Sequence, residues 1–129
     1  MEGLQARGAR AYQEMQVLSR SPLELVVLLY DGALRFLRQA QRAVAQGDAH
    51  ARREAVSRTL AIIGELQSSL NMREGRDIAT RLDALYTYLT SRLLEVATHK
   101  DMTAIDEAIR ILTPLREAWA EIATPRTGL

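Results

Sequence analysis

Apolar positions along the chain recur with the period of a helix, in four long stretches separated by short polar joints. The first stretch opens at Ser19-Arg20-Ser21-Pro22-Leu23-Glu24. There Ser21 can act as N-cap, Pro22 suits the first helical position and Glu24 completes a capping box. This helix is expected over 22–46, ended by Gly47 in a left-handed conformation, with Asp48 capping the next helix. That second helix is expected over 49–70 and, after Asn71-Met72-Arg73-Glu74-Gly75, a third over 76–98. The fourth, capped by Asp101 or Thr103, is expected over 102–123. Helices of this size are roughly 30 Å long, and joints this short force neighbours to run antiparallel. The pattern therefore predicts an all-α fold, an antiparallel up-down four-helix bundle over 21–123. A short, mobile N-terminal helical or extended segment (1–20) leads into it and a disordered tail (124–129) ends the chain.

Helical spacing assigns the core faces. They are Leu25, Val26, Leu29, Ala33, Phe36, Leu37, Ala40 and Val44 in the first helix, and Val56, Leu60, Ile63, Leu66 and Leu70 in the second. The third contributes Ile78, Leu82, Leu85, Tyr86, Leu89, Leu93 and Val96, and the fourth Ile105, Ala108, Ile109, Leu112, Leu115 and Trp119. Two residues interrupt the pattern. Gly64 should cost about 1 kcal/mol relative to alanine and mark a close helix approach. Pro114 removes a hydrogen bond to the Arg110 carbonyl, so the last helix is expected to kink or restart near Thr113.

The first helix carries more apolar surface than this assignment uses. With Leu29 at the centre of its core face, Leu23, Val27, Tyr30 and Leu34 fall together roughly 100° to 160° away. This second stripe has three candidate covers: another part of the same chain, a second copy, or a different polypeptide lying in a groove. Ala11, Tyr12, Met15, Val17 and Leu18 make the N-terminal segment available for the first. Tyr88 and Leu94 on the third helix and Ile111 on the fourth are weaker off-face signals.

Composition narrows the chemistry. The 129 residues include no cysteine, which removes disulfides, thiolate catalysis and cysteine zinc sites. The N-terminus lacks the pattern of a secretory signal, and the longest apolar run, Leu25 to Tyr30, falls far short of the about 20 residues that span a bilayer. A soluble, cytoplasmic protein with no membrane insertion is expected. Seventeen basic residues almost balance sixteen acidic ones, which argues against nucleic-acid binding. The two histidines, His50 and His99, are isolated. Glu95 and His99 at i, i+4 read as a surface pair rather than as metal ligands, Arg52, Arg53 and Arg58 as a solvated face. Neither an enzyme, a cofactor nor a metal site is expected.

An ordered set of short motifs then becomes recognisable. It comprises Ala11-Tyr12-Gln13, Val17, Ser21-Pro22-Leu23-Glu24-Leu25, Leu28-Leu29-Tyr30-Asp31-Gly32-Ala33, Ala40, Gly47-Asp48, Ile62-Ile63 and Glu65-Leu66. Asp77-Ile78-Ala79, Leu82, Leu85-Tyr86-Thr87-Tyr88-Leu89 and Glu117-Ala118-Trp119 complete it. Over roughly residues 9 to 122 the chain resembles FliS, the flagellar export chaperone family. It departs from that family at Glu74-Gly75-Arg76-Asp77, where a glycine pair and a glutamate are usual, and at Pro114. The resemblance implies a cytoplasmic chaperone that binds the C-terminal segment of flagellin, prevents its premature polymerisation and helps deliver it to a component of the flagellar export gate. With that partner the second stripe, Leu23, Val27, Tyr30 and Leu34, becomes the candidate surface for flagellin contact or for the cover that competes with it, and Tyr88 and Ile111 are weaker candidates for flagellin contact. Tyr12, with Met15 and Val17, is implied as an N-terminal cap over the groove or an export-gate docking element. The alternative is a structural or regulatory bundle that homodimerises through the second stripe, and weak self-association of the free protein fits either reading.

Overall fold

The computed structural model describes residues 21–124, and the fold is the expected four-helix bundle. Its helices are α1 (Pro22–Gln46), α2 (Ala49–Ser68), α3 (Met72–Ala97) and α4 (Thr103–Ala123). The expectations for segment 1–20, including Tyr12, Met15 and Val17, and for the tail beyond Thr124 lie outside the described residues. Among the described residues no helix is long and apolar enough to cross a membrane.

The α1 boundaries follow from caps. Ser21 accepts a hydrogen bond from the Glu24 amide at 3.1 Å, Pro22 opens the helix, and Gly47 at φ 69° ends it. Asp48 then accepts from the Ala51 amide at 3.0 Å and starts α2. The second joint differs from expectation. Asn71 caps α3 by accepting from the Glu74 amide at 3.0 Å, so a helical turn over 72–75 forms where a plain connection was expected. Arg76 then breaks the helical path at φ 47°, ψ −120° before the regular part of α3 begins. That conformation suits the first central residue of a type II′ turn, a place for glycine.

Pro114 does not restart α4, which runs uninterrupted from Thr103 to Ala123. Gly64 is exposed, and a Cβ there would meet nothing within 4 Å, so it marks no close approach. The close approach of α1 and α2 is instead at buried Gly32, where a Cβ would lie 3.1 Å from Ile62 Cδ1.

Around the bundle, α1 packs on α2 and α4, and α3 packs on the same two, which places α1 and α3 on a diagonal. The core runs between them through Leu29, Ala33, Leu37, Val56, Ile63, Leu89, Leu93, Ile105 and Leu112. The diagonal is bridged at its centre by the Tyr30 and Tyr86 hydroxyls, 2.6 Å apart and buried. Tyr30 therefore belongs to the core, and so does Leu34 at 6% exposure. The second-stripe expectation is corrected for both. A helix facing two neighbours and a diagonal partner buries a wider arc than a single face centred on Leu29, and that arc reaches Tyr30 and Leu34. In exchange Val44 is exposed.

Polar groups close the seams. Arg116 of α4 grips Asp31 of α1 through Nε at 2.7 Å and Nη2 at 3.4 Å. Gln67 of α2 donates to Asp83 and Thr87 of α3. Arg92 of α3 pairs with Glu107 of α4 at 2.6 Å, and with Glu95 and Asp101 at 3.0 Å each. Arg52 is not part of a solvated face: at 6% exposure it donates from Nη1 to His99 Nδ1 at 2.8 Å. Glu95 is thus engaged by Arg92 and His99 by Arg52, so the expected pair between them is replaced.

Candidate functional site

In an up-down bundle the start of α1, the end of α2, the start of α3 and the end of α4 meet at one end. Core-facing residues near these helix ends lie beyond the last complete layer, where packing among the described residues is less complete. Ile78 shows this directly. It lies on the same line of α3 as Leu82 and Val96 by helical spacing, yet it is 68% exposed while those two are buried. Between it and Leu23, Leu70 and Trp119 lies an open apolar hollow of about 220 Å³ with Tyr86 in its floor. Met72 and Ile122, also at this end, are exposed apolar residues.

The hollow is smaller than the roughly 300–1,000 Å³ of enclosed small-molecule sites. It is shaped to receive one or two apolar side chains from a larger surface. Its floor is rigid because the Tyr86 hydroxyl is fixed to Tyr30. Burial pushes both phenols above their ordinary range, an effect that each one's partner contact offsets for Tyr30 and reinforces for Tyr86. They stay neutral, so the floor offers no charge.

The six residues expected to contact a partner are divided by the structure. Leu23 forms a wall of the hollow and Val27, half-buried, comes one turn later on α1. Tyr30 and Leu34 are buried and reach no partner directly. Tyr88 is exposed on α3 and donates from its hydroxyl to Glu107 of α4 at 2.6 Å. Half-buried Ile111 lies one turn beyond Glu107, so Tyr88 and Ile111 mark the α3–α4 seam, apart from Leu23. The Tyr88 hydroxyl and, after it, Arg92 hold the Glu107 carboxyl below its ordinary range. The same hydrogen bond raises the Tyr88 phenol.

Spacing assigns Ile78, Leu70 and Trp119 to the core; Leu70 and Trp119 do pack half-buried against it, whereas Ile78 is exposed, and all three stand at the rim of the hollow. The available signal was position: each sits within about two turns of a helix end on the same side of the bundle. Among the described residues the hollow is lined by apolar side chains with Ser69 and Asn71 as its polar members. What the arrangement offers is apolar capture on a stiff base.

A family model described as "Flagellar protein FliS" matches residues 5–126. The chain is 37% identical over 123 residues to the flagellar secretion chaperone FliS of Salmonella typhimurium, covering 92% of this chain and 91% of that one. It is 34% identical over 117 residues to the FliS of Campylobacter jejuni, covering 91% of each. Against the FliS of Vibrio cholerae the identity is 32% over 117 residues, covering 88% and 86%.

Proposed function

Because the chain belongs to the FliS family of flagellar proteins, we propose that it is a cytoplasmic flagellar export chaperone that binds the C-terminal segment of flagellin. It does so through the apolar end of the bundle, keeps flagellin monomeric and assists its delivery to the export apparatus. The observation that carries this reading is Ile78, a core-facing residue left 68% exposed beside Leu23 and an apolar hollow. An amphipathic segment that later builds filament contacts would self-associate when free. Docking its apolar edge on this end hides that edge, while the entropy lost on ordering keeps the complex reversible.

In this reading Leu23 and Val27 touch the flagellin segment, and Ile78 and Trp119 complete the pocket. Tyr30 and Leu34 act from beneath by fixing the shape of the surface, and Tyr88 and Ile111 extend contact along the α3–α4 seam. The rival dimer through the second stripe is disfavoured, since two of its four residues are core. Calorimetry with a flagellin C-terminal peptide tests the assignment. Ile78→Asp, exposed enough to leave the fold intact, should weaken binding by at least about tenfold, or about 1.4 kcal/mol. Unchanged affinity in both Ile78→Asp and Leu23→Asp would remove the hollow from the binding surface.

A further inference from the structure

A second surface, chemically unlike the hollow, runs between α1 and α4. Its groove encloses about 380 Å³ and is floored by Leu34. Arg35, Arg38 and Arg42 line it from α1, and Thr113 and Arg116 line it from α4. The α1 arginines are spaced i, i+3, i+7, one face of a helix over roughly 10 Å. Two carboxylates also line the groove, Asp31 and Glu117, and both are engaged by Arg116. The other three cations are left without an acid: among the described residues neither Arg35, Arg38 nor Arg42 makes an ion pair. Arg35 only stacks on the Phe36 ring, 5.3 Å from its centroid.

Like charges at i, i+3 and i, i+4 destabilise a helix, and among the described residues no ion-pair partner offsets them. The rest of the chain is a poor source of one. Residues 1–20 hold Arg7, Arg10 and Arg20 against Glu2 and Glu14, and residues 125–129 hold Arg126 and no acid. A nucleic acid fits less well than a peptide. The basic stretch is short, Asp31 and Glu117 border it, and the chain's net charge is only +1. Guanidinium forks match carboxylates in a bidentate way, and the Asp31–Arg116 pair in the same groove shows that geometry.

We propose that the α1–α4 groove is a docking site for an acidic helical segment of a partner polypeptide, whose carboxylates pair with Arg35, Arg38 and Arg42. The site is separate from the apolar hollow and does not depend on what the hollow binds.

The test is fluorescence anisotropy at low salt with the whole chain. The probe is a labelled helical peptide carrying glutamates at i, i+3 and i+7, compared with its glutamine counterpart. The glutamate peptide should bind at least about tenfold more tightly, weaken as salt rises, and lose that advantage in the Arg38→Gln/Arg42→Gln double variant. Arg38→Glu/Arg42→Glu should instead prefer a lysine version of the peptide. Ile78→Asp, which removes the hollow, should leave glutamate-peptide binding unchanged. Equal binding of the two peptides, or full binding by the double variant, would overturn the proposal. So would displacement of the peptide by equimolar inorganic phosphate, which would mean a general anion site, or stronger competition by a single-stranded oligonucleotide.

Discussion

At the scale of single residues, the Tyr30–Tyr86 contact decides most. Two buried hydroxyls 2.6 Å apart satisfy each other, and removing one takes a hydrogen-bond partner from the other inside an apolar core, leaving Tyr30 only its contact with Trp119 when Tyr86 is changed and Tyr86 none when Tyr30 is changed. Tyr86→Phe should therefore destabilise the protein by about 1–3 kcal/mol in urea titrations, and Tyr30→Phe/Tyr86→Phe should cost less than the two single changes added together. Alkali offers a second readout. Burial raises both phenols in the folded state, so their contribution is complete below the ordinary phenol value of about 10. Above that pH the unfolded chain ionises first, and stability falls progressively. A stability curve flat across this range, in wild type and Tyr30→Phe/Tyr86→Phe alike, would contradict the assignment. Residue by residue, the burial of the second stripe was half legible. Leu23 and Val27 stood out as surplus apolar positions and are half-buried. Tyr30 and Leu34 looked identical to them in the sequence and are core, because spacing gives angles around one helix but not how many neighbours it faces.

At the scale of elements, the caps of α1 and α2 were readable, whereas α4 begins after Met102 with no side-chain cap rather than with Asp101 or Thr103 as its cap. Ser21, Pro22 and Gly47 fix α1 at the expected residues. The α2–α3 joint was misread because the Asn71 cap and Glu74 three residues later form a start signal of their own, succeeded by a backbone break that no pattern reveals. Glycine and its neighbours now separate into opposite expectations. Arg76 at φ 47° should gain up to about 1 kcal/mol when changed to glycine, since a side chain is disfavoured there. Gly64→Ala should gain a similar amount, because the site is an exposed helix interior with open space around it. Gly75→Ala should lose stability, its Cβ falling 2.7 Å from that of Ala79. Thermal unfolding of the three variants checks the signs together, and a destabilised Arg76→Gly would mean that the arginine side chain contributes more than its backbone costs.

At the scale of the molecule, the order of the helices puts the first beside the last. Asp31 and Arg116 meet across 85 residues, whereas the Gly32–Ile62 approach joins residues within one helical hairpin. Closing the longer loop costs about 1 kcal/mol more in chain entropy. The ion pair at the seam is partly exposed and returns less than that. On loop closure alone, α4 is expected to join last and leave first. Native-state hydrogen exchange should find α4 amides opening at lower free energy than those of α1 and α2. Asp31→Asn should lower α4 protection about two- to fivefold while leaving the α1–α2 hairpin unchanged. Equal protection of all four helices would show instead that the bundle opens only as a whole. If α4 does part first, the walls of the arginine groove separate with it and Trp119 leaves the hollow. One fluctuation would then loosen the hold on both surfaces at once, giving the bundle a release step that needs no ligand to trigger it.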